Sequence, residues 1–451
     1  MNLKRKRIFF FTSTLAIVST VLLGYAFVFS AGKLPAGEDV VLVSTKTLTS
    51  PSAGQSDAPA QRHRKPKYVR GLHLTAWVSG TPKMRDALTK IAEETEINTL
   101  VIDIKEYEGE IYIQGYDKAK EYGCFTNAIP DVEKYIAELK KKDIYLIARI
   151  VVFKDNCLPK RRPDLAVKDP TGAPWKDRAG LMWLDPYNKE ARDYNIDLAE
   201  HCINIGFDEI QYDYIRFPSD GNTRNCRYSQ KHSSDSASAA LVTFLEESHK
   251  RLKPLGANIS IDVFGLTTTS THDMGIGQRI VEMSKWVDFV SPMVYPSHYN
   301  KGEYGIEEPN KAPYHTVYLS MEGAKRRIPP AKLRPYLQDF TMGHRYGEKE
   351  VREQIQACYD NDIAEWLLWN PRCVYTKAAL KPKEFSETYE KMPLPSYITE
   401  RKARKTVAIS SAAVSGVSVS TAAATVEAVA VSTEALITAP LIEPTTANNN
   451  F

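Results

Sequence analysis

Strand-like and helix-like segments alternate along most of this chain, and this alternation constrains its fold more than any other feature. Runs rich in β-branched and aromatic residues predict eight strands: Arg70–Trp77, Thr99–Lys105, Ile144–Phe153, Glu209–Phe217, Asn258–Phe264, Asp288–Tyr295, Leu333–Phe340 and Ala364–Asn370. Helical patterns follow them at Lys83–Glu96, Asp131–Lys142, Lys189–Ile205, Ser236–Lys253, Gly275–Lys285, Tyr314–Arg327, Lys349–Asn361 and Lys377–Tyr389. Eight such units over residues 68–397 predict an α/β fold, the (β/α)8 TIM barrel.

An open, doubly wound sheet is the alternative arrangement of the same alternating segments. Sheets of that kind that bind nucleotides carry a glycine-rich phosphate loop after the first strand. No such loop follows Arg70–Trp77 here. The closed barrel is therefore the preferred prediction.

The N-terminus predicts a membrane-inserting segment. A basic cluster, Lys4–Arg7, precedes the almost uncharged run Ile8–Ala31, which is long enough to span a bilayer. Residues 1–31 are predicted to be a signal anchor, with a signal peptide cleaved near Val28–Ser30 as the alternative. Either form exports the rest of the chain, so we expect an extracytoplasmic protein, tethered to the cytoplasmic membrane or secreted after cleavage.

Two segments of biased composition flank the predicted barrel. Residues 32–67 are rich in Ser, Thr, Ala and Pro and predict a flexible stalk. Residues 398–451 are rich in Ala, Val, Ser and Thr, lack a clear period and predict a disordered, low-complexity tail.

Charge and cysteine content exclude several classes of function. The net charge of +4 is spread along the chain and forms no basic groove motif, so no nucleic-acid partner is expected. The six cysteines show no CxxC spacing and the histidines no HExxH spacing, so neither a metal nor a cofactor is predicted. In an exported protein disulfides are permitted, and Cys124 and Cys157 both lie in loops after strands, where they can meet. Cys202 lies in a helical pattern and is expected in the core.

Polar residues recur on one parity of the predicted strands. Asp213 lies near the end of the fourth strand, in the stretch GFDEIQYDYIRFP, and a buried carboxylate is costly unless it is paired. In a TIM barrel one parity faces inward, and functional groups gather at the C-terminal ends of the strands. The same parity carries His73, Trp77, Asp103, Lys105, Arg149, Gln211, Ser260, Asp262 and Tyr295. Asp339 ends the seventh predicted strand, and Trp369 and Asn370 end the eighth.

Convergent carboxylates at the mouth of a barrel suit glycoside hydrolysis. Asp213 is the predicted nucleophile, Asp262 the predicted acid, and Asp339 the rival for the second role. Asp103 is expected to orient or bind substrate, and Lys105 or Arg149 to keep Asp213 ionised. The alternative is a structural plug of salt bridges, for example between Arg149 and Asp103.

A carbohydrate partner is also suggested by aromatic residues. Besides the charged residues, Gln211, Tyr295, Trp77, Trp369 and Asn370 are predicted to bind a polysaccharide or oligosaccharide. The long loops after the strands add Trp175, Trp183, Tyr187, Tyr228, His298, Tyr299 and Tyr304. Aromatic rings in loops equally serve to fold the loops on themselves.

Seven motifs together resemble one known family: RGLHLTAW, TLVIDIKEYEG, GFDEIQYDYIRFP, ISIDVFG, DFVSPMVYP, LRPYLQDF and EWLLWNP. Over Tyr68–Leu380 the chain resembles the bacterial putative glycosyl hydrolase domain family. The resemblance implies an exported TIM barrel, distantly related to the α-amylase and α-galactosidase groups, whose fourth-strand nucleophile falls on Asp213. Amylase-type enzymes carry Glu where this chain has Asp262 and Arg where it has Gln211. The expected function is hydrolysis of an envelope or extracellular polysaccharide, with a non-catalytic carbohydrate-binding barrel as the alternative.

Overall fold

The computed structural model of the chain describes residues 64–404. The predicted membrane segment, nearly all of the predicted stalk and most of the predicted tail lie outside these residues. Within 64–404, none of the helices combines the length and the apolar character that crossing a bilayer requires.

Eight parallel strands close into a barrel in sequence order, which confirms the predicted TIM-barrel fold. Each strand pairs with its sequence neighbours, and β1 pairs with β8 to close the ring. The strands are β1 Arg70–Leu74, β2 Thr99–Lys105, β3 Tyr145–Val151, β4 Glu209–Asp213, β5 Asn258–Phe264, β6 Phe289–Met293, β7 Tyr336–Gln338 and β8 Trp366–Trp369.

The helices surround the barrel and bury apolar faces against it. They are α1 Ala76–Ser79, α2 Pro82–Glu94, α3 Asp117–Glu121, α4 Val132–Lys141, α5 Leu158–Arg161, α6 Lys189–Asn204, α7 Ser234–Leu252, α8 Ile280–Met283, α9 Pro313–Lys325 and α10 Glu348–Tyr359. The two longest, α6 and α7, begin at side-chain caps: Asn188 accepts a hydrogen bond from the Ala191 amide, and Ser233 forms a capping box with Ser236.

Two predicted helices are largely wrong. The segment predicted as Gly275–Lys285 is helical only over α8, because Gly275 and Gly277 adopt left-handed φ values of 70° and 83°. The segment predicted as Lys377–Tyr389 forms only two short 3-10 turns, since Pro382 interrupts it. Arg70 at the start of β1 donates hydrogen bonds to carbonyl oxygens of this last segment.

Several strands end earlier than the sequence patterns predict. The first strand stops at Leu74 because Thr75 caps α1, so Trp77 lies on a helix rather than in the strand. The fourth strand stops at Asp213 because Tyr214 has a φ of 48°. Tyr295 follows β6 instead of ending it.

The N-terminal half of the barrel is filled by a buried polar cluster. Glu209 accepts hydrogen bonds from Arg334 at 2.7 Å, Ser260 at 2.6 Å and Tyr145 at 3.1 Å. All four side chains are buried. A cluster of this kind pairs its charges internally, and it fills the end of the barrel opposite to the end where the predicted site residues lie.

The predicted approach of Cys124 and Cys157 is confirmed by a disulfide between them. It joins the loop after β2 to the loop after β3. Cys202 is buried in the core, as predicted. At the C-terminal side, residues 396–404 are helical and Ile398 is buried, so ordered structure continues into the segment predicted as a tail.

Candidate active site

Arg149 collects three of the predicted aspartates at the C-terminal end of the barrel. Its guanidinium group donates to Asp103 at 2.6 Å and to Asp213, and its Nε lies 3.7 Å from Oδ2 of Asp262. All four side chains are buried. Because Asp213 and Asp262 contact one guanidinium group, their carboxyl groups lie within the ~10 Å over which paired carboxylates act in glycoside hydrolysis.

The barrel itself explains this convergence. The four residues lie on four consecutive strands, β2 to β5, and share the inward parity. Asp103 pairs in register with Arg149, and Asp213 lies two residues beyond Gln211, the register partner of Arg149. Side chains of one parity near the ends of neighbouring strands point into the same interior of a closed barrel, where long side chains such as that of Arg149 can reach them.

Burial and charge give the carboxyl groups different protonation preferences. Burial, reinforced by the charge of Asp213, raises the pKa of Asp262 well above its usual range, although Arg149 opposes the shift. Burial also works against ionisation of Asp103, but His73 and Arg149 outweigh it and lower the pKa of Asp103 to about 2. The Oδ1 atom of Asp262 has no hydrogen-bond partner among the residues of 64–404. The arrangement thus places Asp262, whose surroundings favour its protonated form, beside the ion-paired carboxylate of Asp213.

His73 and Trp369 pack against the charged cluster. Nε2 of His73 lies 2.7 Å from Asp103, and the imidazole ring stacks on Trp369 with a centroid distance of 3.9 Å. The guanidinium carbon of Arg149 lies 5.1 Å from the centroid of the same indole ring. Trp369, at the end of β8, therefore lies at the charged cluster.

Lys105 contacts residues of the loop after β3 and of α6 and not Asp213. A bulge separates it from Asp103, and its ammonium group lies 2.8 Å from Asp155 and 3.1 Å from Asn195 on α6. Of the two cations predicted to hold Asp213 ionised, only Arg149 contacts it. Lys105 instead fastens the loop after β3.

Asp339 and Asn370 also make contacts of a structural kind. Both carboxylate oxygens of Asp339 accept hydrogen bonds from Thr376, at 2.8 and 2.7 Å. The Asn370 amide donates to the carbonyl groups of Asp339 and Val374. These contacts shape the turn after β8, and nothing in them favours Asp339 over Asp262 as the acid.

Gln211 lies one layer below the charged cluster. It accepts a hydrogen bond from the Tyr336 hydroxyl at 2.7 Å and donates to Ser291 at 3.3 Å. Both polar atoms of its amide are therefore used inside the barrel. The predicted substrate-binding role of Gln211 has no support in these contacts.

Tyr295 and Trp77 differ strongly in their exposure to solvent. Tyr295 is buried, and its pKa is raised well above its usual range by burial and by the nearby charges of Asp262 and Asp213. Trp77 is 59% exposed and packs against Tyr112 at a centroid distance of 6.4 Å. Trp77 is thus an exposed aromatic side chain on α1, the short helix that follows β1.

Most of the aromatic residues predicted to bind sugar instead pack within the loops. Trp175 and Trp183 are buried and donate to Asn222 and Asp177. Tyr187 is buried beside Phe217, with ring centroids 5.2 Å apart. For these residues the alternative interpretation, loops folded on themselves, describes the contacts.

Glu106 is a candidate residue that the strand parity did not identify. It follows β2 directly, and burial together with the charge of Asp103 raises its pKa well above its usual range. Burial also raises the pKa of Glu108, two residues on. The acidic run EYEGE at residues 106–110 could have pointed to Glu106, but strand parity identifies no residue beyond the end of a strand.

Comparisons with known proteins agree with the fold. The family model described as "Putative glycosyl hydrolase domain" matches residues 71–375. No curated protein matches the chain. A solved hypothetical protein from Ruminiclostridium thermocellum ATCC 27405 is 34% identical and aligns with 43% of this chain and 97% of its own, with a TM-score of 0.39. The glycoside hydrolase domain of PgaB (BpsB) from Bordetella bronchiseptica is 11% identical and aligns with 70% of this chain and 99% of its own, with a TM-score of 0.52.

Proposed function

The chain belongs to the family described as a putative glycosyl hydrolase domain, and from this premise we propose that it is a glycoside hydrolase that works with two carboxyl groups. Asp213 acts as the nucleophile and Asp262 as the proton donor. One observation carries the proposal: Asp213 and Asp262 both contact Arg149, but the surroundings of the two carboxyl groups differ. Asp213 is ion-paired, whereas burial and the charge of Asp213 raise the pKa of Asp262.

The chemistry follows from these two environments. Asp262 gives its proton to the glycosidic oxygen as the bond to the anomeric carbon breaks, and the leaving sugar departs as an alcohol. The positive charge that develops on the sugar ring is met by the carboxylate of Asp213. If the two groups are ~5–5.5 Å apart, Asp213 forms a glycosyl ester that water then hydrolyses, with Asp262 taking the proton of that water. At ~6.5–9.5 Å, Asp213 instead activates the water directly.

Glu106 is a second candidate for the proton donor. Its pKa is also raised well above the usual range, and its side chain is less enclosed than that of Asp262. A donor must reach the leaving oxygen of a bound substrate, which favours the more open residue. The two candidates can be distinguished by how the activity of each variant depends on the leaving group of the substrate.

The substrate we propose is an envelope or extracellular polysaccharide. The N-terminal residues 1–31 support export, with a tether to the membrane through residues 8–31. Trp77 offers an exposed indole ring at the mouth of the barrel, on which the apolar face of a sugar can stack. We propose that the sugar contacts Trp77, Trp369, Tyr295, Asp103 and Glu106.

The test is hydrolysis of a polysaccharide panel by the full chain, measured as new reducing ends. We expect Asp213→Asn to lower the rate at least ~10³-fold while the circular dichroism spectrum stays unchanged. Asp86→Asn, on the exposed face of α2, is the matched control and should keep the wild-type rate. Equal rates for wild type and Asp213→Asn would reject the mechanism.

A non-catalytic carbohydrate-binding barrel is the second candidate function. It is favoured by the hydrogen bonds of Asp213, whose two carboxylate oxygens already accept from Arg149 and from the amide of Tyr214. Such a barrel would bind a member of the panel without releasing reducing ends. Its affinity would then depend on Trp77 and not on the charge of Asp213.

A further inference from the structure

Four consecutive strands, β5 to β8, carry large apolar side chains at their C-terminal ends that are only partly buried. Phe264 ends β5, Met293 ends β6, Phe340 follows β7 and Trp369 ends β8. These four residues are called the apolar arc below. The residue before each of them is buried. Partly exposed apolar side chains on neighbouring strands form a continuous patch, and patches of this kind often mark a binding surface.

The register of the barrel places the apolar arc on the solvent side of Asp262. Phe264 follows Asp262 by two residues on β5, so the two side chains share the inward face of the strand. Phe264 also pairs in register with Met293. Two residues along a strand correspond to about 6–7 Å, the height of one side-chain layer. Deeper in the barrel, Gln211 donates to Ser291 at 3.3 Å. A sugar therefore approaches Asp262 from the side of the apolar arc.

The apolar arc is continuous with the charged cluster on β2 to β5. Met293, Phe340 and Trp369 pack in one cluster with Tyr295. The ring centroids of Tyr295 and Phe340 are 5.8 Å apart. At the other end of the arc, the Trp369 ring centroid lies 5.1 Å from the guanidinium carbon of Arg149. One substrate can therefore contact the carboxyl groups and the apolar arc together.

The order of the strands assigns the apolar arc to one side of the bond that is cleaved. In the proposed mechanism Asp213 on β4 meets the anomeric carbon, and Asp262 on β5 protonates the glycosidic oxygen. The next strands in the same direction around the barrel carry Met293 and Phe340. Neighbouring strands are about 4.8 Å apart, close to the length of one sugar ring. The sugar beyond the glycosidic oxygen, which is the leaving group, therefore falls on the apolar arc.

We propose that the apolar arc is the binding site of the leaving sugar and that it takes an uncharged pyranose ring. A pyranose presents C–H groups on its faces and hydroxyl groups around its edge, so one face can pack on Phe340 and Met293 while the edge remains hydrated. The four side chains of the arc are uncharged. An ionised sugar substituent would lose water there without gaining an opposite charge. The inference rests on the proposed hydrolase function and adds the chemical class of the leaving group.

The experiment compares two kinds of substrate that differ in their leaving group, with the full chain as the enzyme. Cellohexaose, maltohexaose and chitohexaose carry a sugar as leaving group, whereas the glycosyl fluoride of the same sugar releases fluoride, which needs no proton and does not reach the arc. We expect Phe340→Ala to lower kcat/KM at least ~10-fold on the hexasaccharide that wild type cleaves and less than ~2-fold on the fluoride. Equal losses on both substrates would overturn the inference, because a ring that only shapes the charged cluster affects both.

Two matched variants separate the aromatic face from general packing. Phe340→Tyr keeps the ring and should retain the wild-type kcat/KM on both substrates. A tyrosine variant as impaired as the alanine variant would contradict the inference. Phe385→Ala removes a phenylalanine that is 40% exposed and lies near Arg70, at the opposite end of the barrel, and it should change neither rate. If Phe340→Ala does not fold, Met293→Ala replaces it, with the same contrast expected between the two substrates.

Calorimetric binding distinguishes a failure of this inference from a failure of the proposed function. If wild type binds a hexasaccharide without cleaving it, and Phe340→Ala weakens that binding ~10-fold, hydrolysis fails and the apolar arc stands as a sugar site. If wild type cleaves a hexasaccharide and Phe340→Ala changes neither binding nor rate, the function stands and the inference falls. Hexagalacturonate bound as tightly as a neutral hexasaccharide would overturn the uncharged class. A wild-type chain that neither binds nor cleaves any of the three neutral hexasaccharides would overturn both.

Discussion

The guanidinium group of Arg149 is hydrogen-bonded to the carboxylate of Asp213 where β3 and β4 end side by side inside the barrel. Both side chains are almost completely enclosed. Burial works against the charge on Arg149, yet the carboxylates of Asp103, Asp213 and Asp262 raise its pKa well above the usual range. One buried cation is therefore shared by three acidic side chains, most strongly by Asp103 and Asp213.

Replacing Arg149 should destabilise the whole barrel. In Arg149→Met the three carboxyl groups keep their burial and lose their common cation, so we expect the free energy of unfolding to fall by about 3–5 kcal/mol. Urea denaturation measures it. Arg326→Met, which removes an exposed pair with Glu322, is the control and should change stability by less than about 1 kcal/mol. Similar small losses in both variants would show that the cluster is not held by Arg149.

The raised pKa of Asp262 predicts a pH-dependent effect of Asp262→Asn on stability. The native state keeps its proton at pH values where the unfolded chain, with a pKa of about 3.9, has lost it. Wild-type stability therefore falls through this group as the pH rises above about 4. Asparagine cannot ionise, so the melting temperature of the variant relative to wild type should increase from pH 4 to pH 8. A difference that stays constant over this range, as expected for the control Asp86→Asn, would contradict the raised pKa.

The disulfide Cys124–Cys157 should contribute strongly to stability. It closes a loop with a sequence separation of 33 and connects the loops after β2 and β3. Loop-closure entropy predicts that the double variant Cys124→Ser/Cys157→Ser loses about 3–4 kcal/mol in free energy of unfolding. Dithiothreitol should destabilise wild type by a similar amount and leave the double variant unchanged. Further loss in the reduced double variant would point to the four buried cysteines instead.

The closed barrel and the meeting of Asp103, Arg149, Asp213 and Asp262 were predictable because both follow from periodicity. A period of two fixes which face of a strand each residue occupies, and a closed ring brings equal heights together. Lys105 shows where this reasoning fails. A bulge after Asp103 changes the parity, and nothing in the letters TLVIDIK marks it.

Contacts that depend on turns were not predictable. Asp339 and Asn370 lie at the ends of predicted strands, but Thr376 and the turn after β8 use their polar atoms. Glu106 lies beyond the strand, where parity has no meaning. The positive φ of Tyr214 depends on tertiary contacts with its ring, so the sequence pattern extended β4 past Asp213.

Trp77 and Trp183 should respond differently to truncation. Trp77 is 59% exposed, so Trp77→Ala should leave the melting temperature unchanged and raise KM for an oligosaccharide ~10-fold, or about 1.4 kcal/mol of lost binding. Trp183 is 1% exposed, and Trp183→Ala should cost about 3–5 kcal/mol of stability through the cavity it leaves. Calorimetric melting and substrate titration measure both. Unchanged KM in Trp77→Ala would remove the indole from the proposed binding surface.

The identity of the proton donor can be decided by varying the leaving group. A glycan needs a proton on the departing oxygen, whereas an aryl glycoside with an acidic phenol departs without one. We therefore expect Asp262→Asn to lose ~10²–10⁴-fold in kcat/KM on a glycan and far less on the aryl glycoside. The variant should also lose the fall in activity that accompanies deprotonation of the donor at high pH, since its pKa is raised in wild type. Glu106→Gln should lower kcat/KM for both substrates by a similar, smaller factor, because under this assignment Glu106 contributes only to binding and to the local charge. The reverse pattern, with the leaving-group dependence in Glu106→Gln, would transfer the donor role from the enclosed aspartate to the glutamate at the end of β2.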